Sequence, residues 1–318
     1  MALRLVYSIG KGGVGKTTCA AALAVQSSRR GRTLVVSLDP AHNLGDVLEA
    51  RLTNTPAELA PNLWASEIDM EAAISRYLKE SADRLKQMYY YLKVINIEGY
   101  LDALKLSPGI EEYATLQAME ELIRDAERRF DVLVFDTPPT GLTLRVLALP
   151  RVSLIWGQRL SRLRREILDK RRTVNRIQGE RKFVIDGTEH RLATDEKDDA
   201  VMQELNDYVV RMAALESLQS DSSRCCVMPV MNADRLSLFE TKRAFAALDG
   251  LGMPIGPIIV NKVGLQSTDA RSIEQIESEL QRAVCTIPFL KGDLIGREAV
   301  EMFGRHVDFL QWIPGTDA

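Results

Sequence analysis

Residues 9 to 18 read IGKGGVGKTT, set between the β-prone run Leu3-Arg4-Leu5-Val6-Tyr7 and the alanine- and leucine-rich stretch from Cys19 to Ser28. Glycine occupies four of the six positions from Gly10 to Gly15, a density that unmakes helix and strand alike and frees the backbone to wrap a ligand. The spacing from Gly10 to Thr17 matches G-x-x-x-x-G-K-[ST]. In that pattern the N–H groups of a loop surround an anion, and the helix that follows points its positive end at it. Gly10, Lys11, Gly12, Gly13, Val14, Gly15, Lys16, Thr17 and Thr18 are therefore the candidate phosphate cradle. Lys16 would reach the β and γ phosphates, and the Thr17 hydroxyl would hold Mg²⁺. The competing reading is a chance match in a glycine-rich turn. The strand before the loop and the helix after it argue against that.

Further short runs are apolar throughout, as strands buried on both faces are. They span 32–38, ending at Asp39-Pro40; 132–135, ending at Asp136; 225–230; 255–260, ending at Asn261; and 284–287, ending at Pro288. Helical segments such as Leu236 to Leu248, closed by Gly250 and Gly252, separate them. The pattern predicts an α/β fold: a mostly parallel P-loop NTPase sheet flanked by helices. Two stretches interrupt it and read as helical insertions. Residues 71–128 carry Ile74, Tyr77, Leu78, Leu85, Met88 and Leu92 at helical spacing. Residues 156–223 are strongly charged, with Arg159, Arg162, Arg164, Arg165, Lys170, Arg171 and Arg172 crowded together and Asp186-Gly187 marking a turn. The expected division is a core of 1–70, 129–155 and 224–318, with 71–128 and 156–223 forming a helical subdomain.

A net charge of −3 gives no reason to expect nucleic-acid or membrane-surface binding through bulk electrostatics. No apolar run is long enough to span a bilayer, and the first residues lack a signal-peptide layout, so the expected location is the cytoplasm. The four cysteines form no C-x-x-C pair, and they and the three histidines read as packing or surface residues.

Three residues carry chemistry beyond the loop. Asp136, at a strand end, is either a turn-capping aspartate or the partner of Mg²⁺; beside a phosphate loop the second reading is stronger. Asp39 also ends a strand, where it would start a turn at Pro40 or orient water for attack on the γ-phosphate. Lys11 lies ahead of the usual loop lysine and would project out of its own cradle. It is either a solvated surface charge or one that stabilises phosphates bound in a facing subunit.

At this point the sequence resembles a known family. Lys11-Gly12-Gly13-Val14-Gly15-Lys16-Thr17-Thr18 is similar to the deviant phosphate loop of dimeric nucleotide switches, the class of MinD, ParA and the nitrogenase iron protein. Asp39-Pro40-Ala41-His42-Asn43-Leu44-Gly45-Asp46 and Asp136-Thr137-Pro138-Pro139-Thr140-Gly141-Leu142-Thr143-Leu144-Arg145 resemble switch I and switch II of its ArsA/GET branch. Ser107-Pro108-Gly109-Ile110-Glu111-Glu112 resembles a helical-domain signature of that branch. The resemblance implies an ATP hydrolase that uses Mg²⁺ and works as a homodimer. Lys11 would cross the interface to the partner's nucleotide, Asp39 would position water, and Asp136 would be the switch II aspartate. Asn261 would contact adenine, with Pro288 beside the base and Asp234 near the nucleotide.

Within the branch, targeting factors for tail-anchored membrane proteins shield a client's transmembrane helix in a soft apolar groove and deliver it to a membrane docking partner. The stretch 71–128 with Met70 ahead of it supplies Met70, Met88, Met119, Ile74, Leu85, Leu92, Ile95, Ile97, Leu101 and Tyr89-Tyr90-Tyr91, which suit such a groove or, equally, a bundle core. Arsenical-pump ATPases of the same branch bind As(III) through spaced cysteines, and 71–128 contains none. The interval 262–286 contains only Cys285, so the zinc shared between subunits of the eukaryotic factors is not expected. An arsenite or anion efflux ATPase and a MinD/ParA-like positioning switch are the alternatives to a client-targeting factor.

Overall fold

A computed structural model of the chain describes residues 2–41, 43–88, 104–105, 107–179, 182–185, 188–265 and 269–315. It divides into two compact units, one of Met1–Ala73, Glu112–Leu147 and Ser217–Ala318, the other of Ile74–Glu111 and Ala148–Glu216.

The first unit is built on the apolar runs. Strands β1 (Arg4–Ile9), β2 (Thr33–Ser37), β3 (Ala57–Ala60), β4 (Leu63–Glu67), β5 (Val132–Asp136), β8 (Cys225–Asn232), β9 (Ile258–Val263) and β10 (Val284–Pro288) form one sheet of order β10-β9-β8-β1-β5-β2-β4-β3. All pairs are parallel except β3 with β4. This is the α/β class expected. The register matters more than the order. Ser8 on β1 stands opposite Asp136 on β5, which stands opposite Ser37 on β2. On the other side, Asn232 on β8 stands opposite Asn261 on β9. Polar side chains thus line the carboxyl edge of a sheet whose strands are otherwise apolar.

Helix α1 (Lys16–Ser27) seats its alanine-rich length on this sheet, with Cys19 to Val25 all buried. Small side chains allow a close approach, and Val6, Val35, Val134, Met228, Val230 and Ile259 meet it from below. On its far side the chain's end closes over it. Gln26 donates to the carbonyls of Gly304 and Val307 at 2.6 and 3.1 Å and accepts from the Phe309 N–H, while Trp312 donates to the Pro257 carbonyl. Helices α2 (Asn43–Leu48), α4 (Ile110–Ala126), α7 (Arg235–Leu251), α8 (Asp269–Leu280) and α9 (Arg297–Gly304) also belong to this unit, α4 beginning just before it.

Two findings depart from the sequence reading. The β3–β4 hairpin was not expected: its strands are short, and Ala60 pairs with Leu63 across only Pro61 and Asn62, the latter at φ 63°. The stretch 156–223, expected to be helical with a turn at Asp186-Gly187, contains β6 (Lys182–Ile185) paired antiparallel with β7 (Thr188–Arg191). Phe183, Val184 and Ile185 are β-formers, and the preference of consecutive β-branched residues for extended backbone prevails over the helical surroundings. Asp186 and Gly187, read as a turn, lie outside the described residues.

In the second unit the long helix α5 (Thr140–Gln178) contributes residues from Ala148 onward, and α6 (Ala200–Ser220) contributes those to Glu216. Ser153, Gly157 and Ser161, spaced four apart, are buried. A Cβ on Gly157 would come within 2.6 Å of Val209, and Tyr208 donates to Ser153 at 2.8 Å, so α6 packs on the small-residue face of α5. The arginine cluster is structural. Arg164 forks onto both oxygens of Asp199 at 2.9 and 2.6 Å, and Asp199 accepts from the Met202 N–H at the start of α6. Burial pushes the Asp199 carboxyl up, but the Arg164 hydrogen bonds and charge and the Met202 N–H outweigh it and hold it below the usual range. Arg171 and Arg172 donate to the carbonyls of Ala193 and Thr194.

The soft lining expected of 71–128 is only partly open. Met70 and Met119 are buried, which suits packing and not a groove wall, whereas Leu85 on α3 (Met70–Met88) is exposed. Tyr89, Tyr90, Tyr91, Leu92, Ile95, Ile97 and Leu101 lie outside the described residues.

Candidate active site

The loop from Gly10 to Gly15 leaves β1 against β8 so closely that a Cβ on Gly10 would meet the Val230 carbonyl oxygen at 2.1 Å. At its other end Gly15 takes φ 97°, and a Cβ there would meet Asn261 at 2.4 Å. No other residue fits either position. Asn261 uses that closeness: its Nδ2 donates to the Val14 carbonyl at 2.8 Å, and its Oδ1 accepts from the Lys262 N–H at 2.8 Å. Lys262 then donates through Nζ to the Gly13 carbonyl at 2.8 Å. Two carbonyls of the loop are thereby turned toward β9, which leaves its N–H groups to face the anion.

Behind the loop, Ser8 joins two elements. Its hydroxyl donates to the Lys16 carbonyl at 3.2 Å, and its own carbonyl accepts from the Thr137 hydroxyl at 2.6 Å. The Ser37 hydroxyl donates to Asp136 Oδ2 at 3.2 Å and accepts from the Asp39 N–H at 3.3 Å. Lys16 is buried, Asp136 almost wholly so, and Asp39 half-buried. Burial raises the Asp136 carboxyl from 3.8 to about 6; the Thr17 hydroxyl and Lys16 pull it down, Asp39 pushes it up, and Ser37 pulls it down. Lys16, Thr17, Asp39 and Asp136 are thus one electrostatic group at the loop's mouth.

The residues present fit Mg²⁺. Asp136 Oδ1 is buried with no hydrogen-bond partner among the described residues, and the Thr17 hydroxyl favours the ionised form of the same carboxylate. Carboxylate and hydroxyl oxygens are the hard donors this cation takes, and an orphaned buried oxygen is costly unless something meets it.

A cavity of about 350 Å³ adjoins the loop, lined in part by Gly15, Thr18, Asn261, Lys262, Pro288 and Phe289. The structure therefore gathers Thr18, Asn261 and Pro288 around one opening. Asp234 stands apart: both its oxygens cap α7, accepting from the Ser237 N–H at 2.8 Å and the Ser237 hydroxyl at 2.7 Å. Lys11 is exposed and makes no hydrogen bond or ion pair among the described residues; it borders a narrow crevice with Thr140 and Glu240. Sequence reasoning missed Ser37, Lys262 and Thr137 as positioning residues. Each adjoins a residue that was singled out or lies one step from it, and that adjacency at strand ends was the available signal.

A model of the anion-transporting ATPase family matches residues 3–308. The chain is 28% identical to a putative arsenical pump-driving ATPase of Prosthecochloris vibrioformis, over 96% of this chain and 75% of that protein. It is 26% identical to putative arsenical pump-driving ATPase 2 of Aquifex aeolicus, over 95% and 98%. To ATPase get3 of Aspergillus niger it is 29% identical, over 95% and 89%.

Proposed function

We propose that this chain, which belongs to the anion-transporting ATPase family and is an ATP hydrolase, works as a homodimeric, Mg²⁺-dependent switch that takes up the transmembrane helix of a client membrane protein. The observation that carries the client half is the outward face of α5. Val152, Ile155, Trp156, Leu160 and Leu163 are all exposed, Trp156 to 58%, while Ser153 and Ser161 on the same helix are buried. A helix that buries serines and exposes large apolar side chains inverts the usual pattern, and contiguous exposed apolar surface marks an interaction site.

The catalytic half follows from positioning and charge. Lys16 meets the β and γ phosphates, and Lys11, which has no partner among the described residues, reaches those of the partner copy. Asp39, held by Ser37, orients the attacking water. Bound at Thr17 and Asp136, Mg²⁺ supplies charge neutralisation at the phosphate oxygens. ATP closure of two copies then couples this chemistry to client uptake.

The experiment is capture of a synthetic single-pass transmembrane helix by the purified protein, with and without a non-hydrolysable ATP analogue. Nucleotide-dependent capture that falls about tenfold when Trp156 and Leu163 are both changed to serine is the expected result. Capture at full strength by that variant would remove α5 from client binding.

An ATPase subunit of an arsenite or anion efflux system is the competing reading. Against it, Cys19 and Cys225 are buried in the core, and 71–128 contains no cysteine to offer a thiophilic metalloid.

A further inference from the structure

The carboxyl edge of the sheet carries a polar row that the phosphate chemistry uses only in part. The strand register sets Ser8 of β1, Asp136 of β5, Ser37 of β2 and Glu67 of β4 side by side, and all four are buried. Ser8 serves the loop, Asp136 offers an oxygen to the metal, and Ser37 holds both aspartates. Glu67 is the member left over, and glutamate is seldom buried without a partner.

Its backbone is fixed in place. The Glu67 N–H donates to the Thr53 carbonyl and the Ile68 N–H to the Ser37 carbonyl, both at 3.0 Å. Its side chain meets α2, where Oε1 accepts from the Gly45 N–H at 2.8 Å. Gly45 lies in the first turn of that helix, whose N–H groups find no partner within the helix itself. A Cβ on Gly45 would stand 2.8 Å from the Ala50 carbonyl oxygen and 3.4 Å from Glu67 Oε2, so glycine is what lets the carboxyl come close. Asp39 stands only a short segment before this contact. That segment is pinned at its start by Ser37, which accepts from the Asp39 N–H, while Asp39 accepts from the Ala41 N–H at 3.0 Å. We propose that Glu67 is the second pin, a positioning residue that holds α2 to β4 and so sets where the Asp39 carboxyl stands during hydrolysis. The inference rests on the reading that Asp39 orients the attacking water.

Turnover and equilibrium binding of a non-hydrolysable ATP analogue, measured on the same proteins, test this. Glu67→Ala should lower kcat about ten- to a hundredfold with analogue affinity nearly unchanged, since a shift of about 1 Å in a catalytic group has that effect. Glu67→Gln, which keeps an acceptor oxygen for the Gly45 N–H, should recover most of the loss. Gly45→Ala crowds the same contact from the other side and should also lower kcat. The decisive readout is the combination with Asp39→Asn. In that background Glu67→Ala should cost less than about twofold more, because residues that act as a unit do not add. A loss as large there as in the wild type would overturn the assignment, as would wild-type kcat in Glu67→Ala or in Gly45→Ala. So would a loss that fell equally on analogue affinity, the mark of a damaged nucleotide site. Wild-type turnover by Asp39→Asn alone would bring down the water-orienting reading and this inference with it, an outcome seen without any Glu67 variant.

Discussion

The carboxyl edge of the sheet and the outward face of α5 solve opposite problems with the same kinds of residue. At the sheet edge nearly every polar side chain is tied to the loop or to its neighbours: Asn261 and Lys262 to loop carbonyls, Ser8 to Lys16 and Thr137, Ser37 to Asp136 and Asp39. On α5 the polar side chains turn inward and the large apolar ones are left in water. The first arrangement spends hydrogen bonds to fix a geometry before the ligand arrives, which is what stabilising a transition-state charge requires. The second leaves surface energy unspent until a partner covers it. A site that must be rigid is satisfied within its own unit. A surface proposed to accept varied helices is left unsatisfied.

Four experiments press on that contrast. The largest effect is expected where the rigid edge is incomplete. Lys11→Ala should lower turnover at least about a thousandfold, as removal of a charge supplied in trans does. Mixing it with Lys16→Ala should restore activity, because the mixed dimer keeps one intact nucleotide loop facing one intact Lys11. Mixtures as dead as their parents would make each copy self-sufficient. Asp39→Asn comes next: ATP should still bind while hydrolysis falls about a hundredfold or more, and wild-type turnover would remove Asp39 from the mechanism.

Arg164→Ala probes the other region. It strands the Asp199 carboxylate, whose side chain is 4% exposed, and should cost about 3 kcal/mol in denaturant unfolding. Arg164→Lys should recover only part of this, since an ammonium cannot make both bonds. A cost well below 1 kcal/mol, on the scale of a surface pair, would mean that small-residue packing alone holds α5 to α6.

The smallest effect concerns pH. The Asp136 carboxyl is raised from 3.8 to about 6. Mg²⁺ needs the anion, so Mg²⁺ affinity should fall as pH drops through about 6. The sign for folding is the reverse. Between those two values the folded chain holds the proton more tightly than the unfolded one, so the metal-free protein should lose stability as pH rises across that window. Asp136→Asn should flatten both slopes in melting and Mg²⁺ titration, and unchanged slopes would place the titrating group elsewhere.

Much of this was legible before any fold was known. The strand–loop–helix order around Gly10 to Thr17, the apolar strands ending at Asp39, Asp136 and Asn261, and the parallel sheet all follow from residue pattern, because backbone permissiveness and two-sided burial leave marks in a sequence. The β3–β4 hairpin escaped because its strands span only Ala57–Ala60 and Leu63–Glu67. The β6–β7 pair escaped because a dense run of charge masked Phe183 to Ile185. Met70 and Met119 show the limit in another way: a methionine at helical spacing reads alike whether it lines a groove or fills a core, and only burial separates the two.

By itself, then, the sequence determined that a glycine-rich loop would sit at the edge of an α/β sheet, with Lys16, Thr17, Asp39 and Asp136 as the candidates for its chemistry. Only the tertiary structure decided what their neighbours do. Asn261 is paired to loop backbone, Asp234 is consumed as a helix cap, and α5 turns its serines in and Trp156 out. The physical reason is that residue type sets which bonds a side chain can make, whereas register and packing set which partners come within reach.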